Sequence, residues 1–110
     1  MTFKYKLNIC IFIITVLTTS TSISGSGPGI VVFSLDTCGY YIVQSEMGMS
    51  VLEWFGGVTP VKGDTLIGDF NTYGFVDLYD ISQSSSTRAW VEEFMLSKSE
   101  ALERMMEKCN

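Results

Sequence analysis

The chain has no histidine among its 110 residues. The commonest general base and metal ligand is therefore missing, and Ser–His or Cys–His nucleophilic sets are excluded. No Gly-x-Ser-x-Gly elbow surrounds Ser82 or Ser84–Ser86, and Gly56-Gly57 lacks the Gly-Lys-Ser/Thr that completes a phosphate-cradling loop. Basic side chains are scarce: seven against twelve acidic ones, a formal net charge of −5. Such a surface repels phosphate backbones, so nucleic acid is not an expected partner. Long hydrophobic runs are also lacking. The stretch Leu7–Leu17 is interrupted by Asn8 and Thr15 and falls short of the roughly 20 residues that a membrane-spanning helix needs.

What that stretch does resemble is the core of a secretory signal. Lys4 and Lys6 precede it, and small hydroxyl residues run from Thr18 to Ser24. Cleavage is expected after Ser22, Ser24 or Ser26, with residues 1–24 taken as the signal; an uncleaved membrane anchor is the alternative. Removal of Lys4 and Lys6 makes the remainder still more acidic. A secreted or periplasmic location follows, with no stable membrane span after processing. The mature chain is a single small domain, residues 30–110, entered through a flexible Gly/Ser linker at 25–29.

Short apolar runs broken by turn residues fill the first two thirds of that domain, a pattern of strands in a meander or small barrel. The expected strands are Ile30–Leu35, Tyr40–Ser45, Met49–Phe55, Thr65–Asp69 and Phe75–Asp80. In the last, Val76 and Leu78 alternate with Phe75, Asp77 and Tyr79, the period of two that one buried face requires. Gly68 suggests a bulge or sharp bend. A serine-rich loop is expected over Ile81–Thr87. Arg88–Leu96 fits either a strand or a helix, and its Thr, Trp, Val and Phe content favours the strand.

After Ser97 the periodicity changes. Ser97 and Glu100 have capping-box spacing, and Leu102, Met105, Met106 and Cys109 form one apolar stripe. Glu100 and Arg104 are spaced to pair. Cys10 leaves with the signal, so Cys38 and Cys109 remain for an oxidising compartment. A bridge between them would close about 70 residues and contribute roughly 4 kcal/mol by chain entropy; an intermolecular bridge or two free thiols are the alternatives. The fold expected is mainly β, α+β at the margin: a partly open antiparallel barrel of five or six strands, OB-like or SH3-like, with the helix packed on it.

Three features could carry function. Asp69, Asn71, Gly74, Val76, Asp77 and Asp80 fall on positions 1, 3, 6, 8, 9 and 12 of a segment that resembles the calcium loop of EF-hands and dockerin repeats. The resemblance implies calcium ligation by Asp69, Asn71, Asp77 and Asp80. Tyr73 stands where that loop places another oxygen ligand, and a plain hairpin is the competing expectation. Second, Glu53 beside Trp54 and Glu92 near Trp90 could act as a carboxylate pair in a small hydrolase. Third, the aromatics exceed what one face of a small barrel buries, and Tyr41, Trp54, Tyr73, Tyr79 and Trp90 are the candidates for contacting a protein or glycan partner. The reading that best combines these is an exported, non-enzymatic binding module without a cofactor, with a calcium-binding domain and a carboxylate hydrolase as alternatives.

Overall fold

A computed structural model describes residues 26–35 and 37–109. The expected signal segment, Cys10 and Asp36 lie outside them. Six antiparallel strands form a barrel: β1 (Ser26–Leu35), β2 (Tyr40–Ser45), β3 (Gly48–Gly57), β4 (Thr65–Asp69), β5 (Gly74–Asp80) and β6 (Ser85–Leu96). One helix, α1 (Lys98–Lys108), follows. The strand order is β1-β2-β3-β6-β5-β4, and the barrel is closed rather than partly open.

Closure comes from the stretch expected to be a linker. Ile30 to Leu35 pairs with β2, while Ser26 to Ile30 pairs with β4, from Ser26 opposite Asp69 to Ile30 opposite Thr65. Glycine composition reads as flexibility in a bare sequence, yet Gly29 is fully packed here. A Cβ added to it would overlap Val43 Cγ1 and stand 2.8 Å from the Phe70 ring. Gly68 has a similar reason, since a Cβ there would overlap Leu78 Cδ2. It marks a close approach and leaves the β1–β4 register unbroken. The serine-rich loop is shorter than expected, because Ser85, Ser86 and Thr87 already pair with Asp80, Tyr79 and Leu78. Residues 88–96 are strand, as their β-branched and aromatic content favours.

Alternation divides the apolar residues into two layers. Val31, Tyr41, Val43, Leu52, Leu66, Leu78, Ala89 and Val91 point into the barrel, and Phe70 from the β4–β5 turn joins them. The buried Ser50 hydroxyl donates to the Phe70 carbonyl at 3.0 Å and holds that turn in place. Ile42 and Val51 point the other way, onto Ala101 and Met105 of α1. The middle of β2 is therefore buried on both faces.

The capping box at Ser97 and Glu100 is present: the Glu100 N–H donates to Ser97 Oγ at 3.2 Å and the Ser97 N–H to Glu100 Oε1 at 2.9 Å. Those bonds hold the Glu100 carboxyl below its usual range. Two details of the helix differ from expectation. Ala101 and Met105 are its buried residues, whereas Met106 is exposed, so the seated ridge runs one position earlier. Arg104 pairs with Glu93 on β6 at 3.0 Å and not with Glu100, which is engaged at the cap. Cys109 is bonded to Cys38, with their Cα atoms 5.3 Å apart, so the helix end is tied to the β1–β2 turn. Among the described residues no helix is long and apolar enough to cross a membrane.

Candidate functional site

Along β5 the side chains alternate, which places Phe75, Asp77 and Tyr79 outward. The β5–β6 register then sets Phe75 opposite Trp90 and Asp77 opposite Arg88. Phe75 and Trp90 meet edge to face, with ring centroids 4.9 Å apart and planes at 83°. Phe55 of β3 meets Phe75 in the same way, at 4.9 Å and 87°. Arg88 lies over the Phe75 ring, 5.0 Å from its centroid, and its guanidinium is 4.0 Å from the Asp77 carboxylate. Both Phe55 and Phe75 are about half exposed, at 49 % each. The result is a contiguous aromatic surface with one cation at its edge.

The row continues sideways. Trp90 stands opposite Glu53, and Glu53 opposite Tyr40. The Tyr40 hydroxyl donates to Glu53 Oε1 at 3.2 Å. Burial, and then the charges of Glu53 and Glu92, push its pKa up to about 12, so it remains a neutral donor. Glu92 is paired with Lys108 at 3.5 Å. Of the two carboxylates considered for catalysis, Glu53 is thus tied to Tyr40 and Glu92 to the helix end.

The five aromatic candidates separate. Trp90 belongs to the cluster. Tyr79 is exposed further along the outward face of β5. Tyr73, at 67 % exposure, rests on Phe94 with centroids 4.7 Å apart. Trp54 donates from Nε1 to the Val58 carbonyl at 3.1 Å and, with Tyr40, Thr59 and Pro60, lines a recess of about 150 Å³. Tyr41 is the correction: it is 2 % exposed, and its ring belongs to the barrel interior. Its neighbour Tyr40 is the one that reaches the surface row.

Residues 69–80 form a hairpin. The Asp69 carboxylate accepts from the Asn71 N–H at 2.9 Å and the Thr72 hydroxyl at 2.7 Å, closing the turn. Asn71 Oδ1 is buried without a hydrogen-bond partner among the described residues. Asp77 is outside with Arg88, while Asp80 is fully buried on the opposite face of the same strand. Asp77 and Asp80 thus project from opposite faces of one extended strand, so the four expected calcium ligands do not all converge as the resemblance implies. Among the described residues no group of three or more acidic or cysteine side chains is arranged to hold a metal.

Asp80 instead meets Asp64, which the sequence did not single out. The Gln83 side-chain amide donates to Asp64 Oδ2 at 2.8 Å and reaches Asp80 Oδ2 at 3.4 Å. The Gln83 N–H donates to Asp80 Oδ1 at 2.9 Å, and the Val61 N–H to Asp64 Oδ2 at 3.1 Å. Burial, followed by the hydrogen bond with Asp64, raises the Asp80 pKa. Burial opposes ionisation of Asp64 too, but hydrogen bonds from Asp80, Gln83 and the Val61 N–H outweigh it and hold its pKa low. Opposite shifts of this kind mark two carboxyls that titrate as a pair. Two like charges this close do not both ionise readily. The nearby Tyr41 hydroxyl is buried with no partner among the described residues, and burial, then the Asp80 charge, raises its pKa.

Phe55, Phe75 and Arg88 were not among the sequence candidates. The alternation of β5 signalled that Phe75 faces outward, but the Phe55 and Arg88 contacts depend on register and a bulge between Trp54 and Gly56, which leave no local trace. Asp64, following Gly63 in a connection, gave no sign of its partner. No protein-family model, curated protein or solved structure matches this chain.

Proposed function

We propose that this protein is an exported, non-enzymatic interaction module that docks a protein partner through the outer face of β3, β5 and β6. The observation that carries the reading is the contiguous Phe55–Phe75–Trp90 surface edged by Arg88. Aromatic and arginine side chains are the residues that most often dominate binding energy at protein interfaces. The edge-to-face packing makes the surface ridged, which suits an interdigitating side-chain surface better than a flat sugar ring. Closure of the sheet, with β3, β5 and β6 each hydrogen-bonded on both sides, gives it a rigid base.

Export is supported by the signal-like first 24 residues and by the Cys38–Cys109 bond, which persists in oxidising compartments. Cleavage after Ser22 or Ser24 leaves β1 whole, whereas a cut after Ser26 would remove the residue opposite Asp69.

The test compares wild type with Phe75→Ser, and with Met106→Ser on the exposed side of α1 as a control, as baits against proteins from the producing cell's own exported fraction. A partner held by wild type and the control, and weakened at least about tenfold by Phe75→Ser, is expected, since central interface aromatics contribute about 2 kcal/mol or more. Equal retention by all three folded baits would remove the aromatic face from the proposal.

A further inference from the structure

A second surface lies on the other side of the molecule, where α1 leaves part of β1, β2 and β3 uncovered. It is a groove of about 430 Å³, walled by Val32, Phe33, Met49 and Leu102, with Lys62 and Lys98 in its lining. That volume is within the roughly 300–1,000 Å³ of small-molecule sites. We propose that this groove seats a single-chain amphiphile with a carboxylate head: the apolar wall takes the chain and the two lysines take the charge.

The distribution of cations argues for it. Five basic residues follow the signal-like segment: Lys62, Arg88, Lys98, Arg104 and Lys108. Arg88 is with Asp77, Arg104 with Glu93 and Lys108 with Glu92. Lys62 and Lys98 have no ion-pair partner among the described residues, although acids outnumber bases in the chain. The two unneutralised cations come from separate parts of the sequence, the β3–β4 connection and the start of α1, and both line one groove.

The position of Lys98 points the same way. It is the first residue of α1, where the helix dipole disfavours a cation and favours an anion. A lysine there opposes the dipole by itself, and two lysines on one groove repel each other. A bound carboxylate relieves both. A neutral apolar ligand relieves neither, and a phosphate-rich membrane surface is opposed by the net charge of −5.

The experiment is calorimetric titration of the folded, disulfide-bonded protein with dodecanoate below its micelle concentration, and with dodecanol and dodecylamine in parallel. One molecule of dodecanoate per chain is expected. Dodecanol should bind at least about tenfold more weakly, because it offers the two lysines no charge and forms no charge-assisted hydrogen bond. Lys62→Gln with Lys98→Gln should bring dodecanoate down to the alcohol's affinity; both are surface changes that leave the apolar layers intact. Leu102→Trp, checked for folding by circular dichroism, should block both ligands by filling the groove. Equal binding of acid and alcohol to wild type, dodecanoate binding unchanged by the double lysine variant, or no binding at all would each overturn the proposal. Because the groove and the aromatic face share no residue, Phe75→Ser should leave the titration unchanged.

Discussion

The two apolar layers of this protein are built by different means. Inside the barrel, every strand contributes a side chain and every strand is hydrogen-bonded on both sides, so the interior has no edge. Outside, Ile42, Val51, Ala101 and Met105 form a smaller buried patch with a fringe of half-buried residues. A short helix holds it together, tied at its start by a capping box and at its end by sulfur. An 11-residue helix has little stability alone, so the outer layer depends on the barrel. The barrel does not depend equally on the helix. Both proposed binding surfaces follow this division: the aromatic face sits on the self-sufficient sheet, and the groove sits on the seam with the dependent helix.

Removing the disulfide is the strongest way to break the comparison. Cys38→Ser with Cys109→Ser frees two residues 71 positions apart and should cost about 4 kcal/mol in denaturant unfolding. Native-state hydrogen exchange gives the sharper result. Amides of α1 around Met105 should lose most of their protection, while those of Val43 and Leu52 in the barrel retain theirs relative to global unfolding. Equal loss at all three places would show that the layers are one cooperative unit.

A smaller effect is expected at Gly29. An added methyl group has to displace Val43 and the Phe70 ring inside the closed barrel, which should destabilise by about 2 kcal/mol. Gly27, two residues earlier on the same strand, has nothing within 4 Å of an added Cβ. Gly27→Ala should therefore stay within about 0.5 kcal/mol of wild type. If the two variants melt alike, the first half of β1 does not close the interior as described.

These glycines also show what could be read in advance. The strand-rich fold, the 88–96 strand, the capping box and the cysteine pair were legible, because each rests on a local period or a short spacing. Closure was not, since it depends on Ser26–Gly29 lying against β4, and composition alone makes that stretch a linker. The same limit affected the sites. Alternation assigned the exposed side of β5, but only register brings Trp90, Arg88 and Phe55 to Phe75. Tyr40 and Tyr41 are adjacent with opposite orientation, and which one faces out is a one-residue question of register. Asp80 was read as an ion ligand because spacing cannot say that its strand turns it inward, towards Asp64.

That inward pair supports the last and smallest test, in which pH should act on the barrel rather than on the helix layer. Asp80 carries a raised pKa, from burial first and its bond with Asp64 second. A carboxyl raised on folding supports the native state fully below its unfolded pKa, and that support is lost as pH rises through the folded value. Asp64, held low, behaves oppositely: its contribution is present above the unfolded pKa and is lost as pH falls through the folded one. Asp80→Asn keeps a donor towards Asp64 and an acceptor for the Gln83 N–H without needing a proton. The variant should match wild type within about 1 kcal/mol near pH 4 and gain on it as pH rises through the raised Asp80 value. Thermal unfolding of both proteins at several pH values measures that difference. A gap that is constant with pH, or one that closes as pH rises, would mean that Asp80 is not the carboxyl whose pKa folding raises.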